Sequence, residues 1–207
     1  MISYKVTKRL FNGTYQYKIV LVCAGASLFR SGDMDSTLIQ LKKVDLSKPA
    51  DSWMRSVKTQ EELEYCFALQ SQLKKLKNID IRVESPWISI YSNSKSDIDA
   101  IAKVNTDNVK YISAPNSNLL EHGTILLPKI DFEFKVTLGK TSAEQSAFIS
   151  WAESNNKVKL TKTCKRDLAK DRSWGGTYFY ITGDKNLLLA KMHLAGAVNK
   201  VERIIKA

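Results

Sequence analysis

Two halves of this chain carry the same succession of strand and helix signals, and that succession limits the folds open to it. In the first half, apolar and polar residues alternate through residues 14–23, the period of a strand with one buried face. Thr59-Gln60-Glu61-Glu62 then has the form of a capping box: the threonine hydroxyl accepts an amide proton of the first turn, and the glutamate reaches back to the cap amide. Leu63, Cys66, Phe67, Leu73 and Leu76 follow at helical spacing, and Lys74, Lys75 and Lys77 close the last turn, where the helix dipole favours cations. Strands are expected at 79–84 and 87–92, around Ser85-Pro86. A helix over 95–104, with Ile98, Ile101 and Ala102 on one face, and a strand over 109–113 complete the half.

The second half repeats this order. Residues 132–138 alternate, and Thr141-Ser142-Ala143-Glu144 is a second candidate capping box, opening a helix with Phe148, Ile149, Trp151 and Ala152. Residues 157–164 read as a strand, Gly175-Gly176 as a turn, 177–181 as a strand, 186–198 as a helix and 201–205 as a terminal strand. The unit β-α-β-β-α-β is the ferredoxin-like split arrangement, in which both helices cover one face of a four-stranded antiparallel sheet. The expected fold class is therefore α+β, with two tandem ferredoxin-like units over 1–115 and 131–207 and a linker over 116–130. Two additions fall in the first unit. Asn12-Gly13 between the strand-like runs 4–11 and 14–23 predicts an N-terminal hairpin, because both residues tolerate positive φ. Residues 25–58 mix turn formers with a short apolar stretch, Leu38-Ile39-Gln40-Leu41, and read as an insertion.

Composition excludes several classes. Hydrophobic residues make up 43% and charged residues 26% of 207, which is globular rather than disordered. No apolar run approaches the roughly 18 residues needed to span a bilayer, and Met1-Ile2-Ser3-Tyr4-Lys5 lacks a secretory apolar segment. Cys23, Cys66 and Cys164 are an odd count with no zinc spacing, so a reducing, cytoplasmic or other intracellular setting is expected, without a structural metal or cofactor. No P-loop, dinucleotide fingerprint or nucleophile elbow occurs. Of the two histidines, His193 reads as a helix residue at the core boundary, and His122 as a linker residue that is the one weak candidate for acid–base work. Asp33 and Asp35 lie in an irregular stretch, and a metal site there would need further oxygen ligands.

Two features point to a ligand. The first is charge, +11 overall. Lys157, Lys159, Lys162, Lys165, Arg166, Lys170 and Arg172 face only Asp167 and Asp171 in that stretch, so a basic strand and the loop behind it would present cations to phosphates. The competing reading is a solvated edge strand, guarded by lysine against aggregation. The second feature is aromatic. If Phe132, Phe134, Val136, Leu138, Phe179 and Ile181 face the helices, Tyr178 and Tyr180 face away. If Ile88 and Ile90 face the helices, Trp87 and Tyr91 face away beside Ser89. Aromatics on the open face of such sheets stack on bases in RNA-recognition modules; packing against another sheet is the alternative.

The expectation is a non-enzymatic nucleic-acid-binding protein that prefers single-stranded RNA or DNA, since no basic recognition helix for duplex DNA is evident. The first alternative is a structural or assembly subunit of a viral particle or ribonucleoprotein, using sheet faces for protein contacts or self-association. The second is an endoribonuclease: tandem units with basic surfaces resemble the RAMP-type CRISPR repeat-processing proteins in architecture. That resemblance implies a glycine-rich loop near the C-terminus, where Leu194-Ala195-Gly196-Ala197-Val198 holds one glycine.

Overall fold

The computed structural model describes residues 2–47, 57–115 and 120–206. The chain forms two compact units, Met1–Asn118 and Leu119–Ala207, each mixed α+β and built on one five-stranded sheet.

The first unit contains β1 (Tyr4–Thr7), β2 (Tyr17–Val22), α1 (Met34–Lys42), α2 (Gln60–Lys74), β3 (Asp80–Glu84), β4 (Trp87–Ser92), α3 (Lys95–Ala102) and β5 (Val109–Pro115). Its sheet order is β1-β5-β2-β4-β3. β2 is antiparallel to both β5 and β4, and this central position suits the run Ile19-Val20-Leu21, buried throughout. Ile19, Leu21, Ile88, Ile90 and Ile112 form the sheet side of the core, and Leu41, Leu69, Leu73, Ile98 and Ile101 come down on them from the helices. No described helix of this unit packs on the opposite face. The capping box of α2 is present in both directions: the Glu62 amide donates to Thr59 Oγ1 at 3.1 Å, and the Thr59 amide to Glu62 Oε2 at 3.2 Å.

The N-terminal hairpin does not form. Asn12 and Gly13 do take positive φ, 50° and 73°, and close a tight turn between Phe11 and Tyr15. Yet β1 pairs in parallel with β5, Tyr4 opposite Ile112. Both edges of β2 are already occupied by β4 and β5, so no edge is left for a hairpin partner. The segment read as an insertion belongs to the core where it is described: Phe29 and Leu41 are fully buried, and Asp33 caps α1 by accepting from the Asp35 and Ser36 amides. Its residues 48–56 lie outside the described residues, as do 116–119 of the expected linker.

The second unit contains β6 (Thr124–Leu126), β7 (Phe134–Leu138), α4 (Ser146–Ser154), β8 (Val158–Leu160), α5 (Lys162–Leu168), β9 (Tyr178–Ile181), α6 (Asp184–His193) and β10 (Val198–Ile205). Its order, β6-β10-β7-β9-β8, has the same form as the first. Here β6, drawn from the expected linker, runs parallel to β10. Val136, Leu138, Phe179 and Ile181 pack against Phe148, Ala152, Leu168 and Ala190.

Two local expectations are corrected. Residues 162–164, expected to end a strand, begin the helix α5: Thr161 caps it by accepting from the Cys164 amide, and Cys164 and Leu168, one turn apart, enter the core. Thr141 does not open a helix. It exchanges backbone hydrogen bonds with Ser173, and α4 begins five residues later.

Candidate nucleic-acid interface

The basic residues and aromatics expected to bind nucleic acid fall on different surfaces, and register decides which meet. In the second sheet, Glu202, Lys135, Tyr180 and Lys159 lie opposite one another across β10, β7, β9 and β8. They alternate with the core residues Val136, Phe179 and Ile181, so this row faces away from the helices. Thr137 and Tyr178 form the next row. The Tyr178 and Tyr180 rings meet edge to face with centroids 5.6 Å apart, and Phe132 stacks on Tyr180 at 6.0 Å. Phe132 was expected on the core face; it precedes β7 and turns onto the open face instead. Lys135 Nζ stands 4.0 Å from the Tyr178 centroid. Burial, with Tyr178 next to it, pushes the Tyr180 phenol above its ordinary pKa. The one carboxylate in the row, Glu202, is buried and paired with Lys200 at 2.9 Å.

The seven basic residues over 157–172 do not form one surface. Lys159 lies on the open sheet face beside Tyr180. Lys162, Lys165 and Arg166 ride on α5, whose buried residues pack into the helix-covered side. Lys165 pairs with Glu153, and Lys170 and Arg166 both approach Asp167, at 2.9 and 3.8 Å. Lys157, Lys159, Lys162 and Arg172 are exposed and have no acidic partner among the described residues. The linear charge run therefore divides because residues 162–168 coil, which turns successive side chains around a helix axis.

In the first sheet, Trp87 is 41% exposed on the open face, with Lys110 Nζ 3.7 Å from its ring centroid. Tyr91 is not available. It is 4% exposed, covered by Phe11 and Tyr15 with centroids at 5.7 and 6.2 Å. Tyr111, which sequence reasoning missed, lies on this face with Lys5 Nζ at 3.7 Å and Lys18 Nζ at 5.8 Å. Tyr111 pairs with Val20 and alternates with the core residue Ile112, whereas the register shift between Val20 and Leu21 leaves Lys110 as the extra residue of a bulge on β5, a position whose face strict alternation misassigns.

His122 sits exposed on the turn before β6, with no hydrogen bond or ion pair among the described residues. His193 packs its ring on Trp151 at 5.2 Å. Asp35 pairs with Lys74, and among the described residues no three His, Cys, Asp or Glu side chains converge on a metal-sized site. Cys23 and Cys66, distant in sequence, are buried neighbours with sulfurs 3.6 Å apart. No described helix is long and apolar enough to cross a membrane.

No family model, curated protein or solved structure matches this chain.

Proposed function

We propose that this chain is a non-enzymatic protein that binds single-stranded RNA or DNA on the helix-free faces of two ferredoxin-like units. The fold part of this reading draws support from the order β5-β2-β4-β3 and its counterpart β10-β7-β9-β8. These are the orders that a β-α-β-β-α-β unit produces when its first and third strands are central. A parallel strand is added to each, and α5 is an additional helix in the second.

The observation that carries the functional part is the pairing of lysines with rings. Of the six lysine–ring contacts among the described residues, four join lysines to Tyr111, Trp87 and Tyr178 on these two faces, and a fifth lies on the covered Tyr91. Rings offer stacking area that tolerates any base, at about 1–3 kcal/mol per base, and adjacent ammonium groups neutralise the phosphates between bases. Phe132, Tyr180 and Tyr178 follow one another at 6.0 and 5.6 Å, a run that could be followed by successive unstacked bases. Of the residues expected from sequence, Trp87, Tyr178, Tyr180 and Lys159 remain in this reading; Lys135 and Lys110 join it.

Fluorescence anisotropy with labelled single-stranded RNA, single-stranded DNA and duplex DNA across a salt series tests it, with a gel to check probe integrity. Salt-sensitive binding to single strands above duplex is the expected result. Absence of binding to every probe at low salt overturns it, and a cleaved probe favours the endoribonuclease alternative with His122 as its acid–base candidate.

The assembly-subunit alternative rests on a separate observation. Edge strand β1 exposes Tyr4 and Val6, and an apolar edge invites strand addition from another chain. Light scattering that gives a stable oligomer, unaffected by added nucleic acid, would favour that alternative.

A further inference from the structure

We infer that Lys140, Arg172 and Trp174 form a nucleotide site at the end of the second sheet, with the indole stacking on the base and the two cations holding its phosphate. The site lies on loops rather than on the sheet face, and it does not depend on the sheet-face reading.

The loop that carries Trp174 is fixed at several points. Thr141 and Ser173 exchange backbone hydrogen bonds at 3.0 and 3.1 Å, and the Gly176 amide donates to the Leu138 carbonyl at 2.8 Å. Gly175 has φ +79°, and a Cβ there would stand 2.4 Å from the carbonyl carbon of Gly139. Only glycine fits this crossing. The result is an indole held on a tied loop yet left 77% exposed.

A single exposed hydrophobic side chain is ordinary; its surroundings distinguish this one. Trp174 borders a pocket of about 430 Å³ with Lys140, Thr141, Ser142, Arg172 and Ser173. That is the size of a small-molecule site. The lining holds two cations, three hydroxyls and no carboxylate. Lys140 Nζ stands 5.1 Å from the indole centroid, and neither Lys140 nor Arg172 has an acidic partner among the described residues. Thr141 is buried beneath, and its hydroxyl has no partner among the described residues.

Inorganic phosphate would use the cations and leave the indole idle. An apolar ligand would do the reverse and desolvate two charges without compensation. A planar ring joined to a phosphate uses both. Among such groups a nucleotide fits best, because its base is broad enough to cover an indole face. It can be free or part of a strand.

Calorimetric titration of the whole protein with AMP, adenosine, inorganic phosphate and O-phosphotyrosine tests the inference. AMP should bind about tenfold more tightly than adenosine. Trp174→Ala and Arg172→Ala should each weaken AMP about tenfold, with far-UV dichroism unchanged. AMP should also quench tryptophan emission, and Trp174→Phe should remove that quenching. A 5′-phosphorylated oligonucleotide that outcompetes AMP identifies the strand as the source, and one that binds no better identifies the free nucleotide; both support the site. Absence of AMP binding, quenching retained in Trp174→Phe, or tighter binding of O-phosphotyrosine overturns it. The Tyr178→Ala/Tyr180→Ala variant separates this inference from the sheet-face reading: single-strand binding unchanged there with AMP still bound defeats the latter alone.

Discussion

The two sheets place aromatics at the same strand position and treat them differently. In the first, Tyr91 on β4 is sealed beneath Phe11 and Tyr15. In the second, Tyr178 and Tyr180 on β9 keep part of their surface in water. The difference arises in the segment that leads into the central strand. Between Thr7 and Tyr17 the first unit has nine residues, closed by the Asn12-Gly13 turn, long enough to fold back over the sheet. The second unit brings only Phe132 onto Tyr180 before β7 begins. A sheet-face aromatic therefore serves as core or as surface according to the loop beside it, not according to its own strand.

The largest effect that would break this comparison is at the covered ring. Tyr91→Ala should cost about 3 kcal/mol of stability, the range for truncating a packed aromatic, while single-strand affinity stays within about twofold. Urea denaturation beside anisotropy checks it; lost affinity with unchanged stability would refute the assignment of Tyr91 to the core. Next, Tyr178→Ala with Tyr180→Ala should weaken single-strand binding on the order of tenfold to a hundredfold, with only a small change in the denaturation midpoint. The comparison sharpens if Phe11→Ala with Tyr15→Ala makes the first face more like the second. That change should cost about 1 kcal/mol for the lost ring contacts and raise single-strand affinity a few-fold.

Two smaller effects follow. Lys159→Ala should reduce the slope of log affinity against log salt by about 0.7, one phosphate contact on a single strand. Lys165→Ala, whose partner is Glu153, should leave that slope unchanged. The last concerns buried thiols. Burial pushes the Cys164 thiol from 9.0 up to about 12. The unfolded chain thus releases this proton first, so stability present below pH 9 should decline progressively toward pH 12. Cys164→Ser should flatten part of that decline in denaturation curves across this range.

The elements with strong local logic were legible in the sequence. The capping box at Thr59 and Glu62, the alternation in β4 and β9, and the apolar faces of α2 and α3 are each set by neighbours in the chain. What required the structure was partner choice. Alternation reports that residues 4–7 form a strand, but not that β5 rather than β2 takes it. The second capping-box pattern failed because Thr141 is held by Ser173, a contact across the fold. The start of α5 did leave a signal, Thr161 with Cys164 and Leu168 at helical spacing, but Val158 and Leu160 overlaid it with strand periodicity. The candidate site was legible where strands were regular, at Tyr178 and Tyr180. It was lost where β5 bulges at Lys110, and where a preceding loop buries Tyr91.

The parallel strand at one border of each sheet has a temporal consequence. Tyr4 lies opposite Ile112, so β1 meets its partner only after nearly the whole first unit has been synthesised. Until then it stands as an unpaired strand bearing Tyr4 and Val6, open to any passing edge. β6 waits in the same way, since Thr124 pairs with Arg203. Non-local closures of this kind slow folding. In each unit, the segment made first cannot be secured until its distant partner strand exists, and that interval is when strand exchange between neighbouring chains has its opportunity.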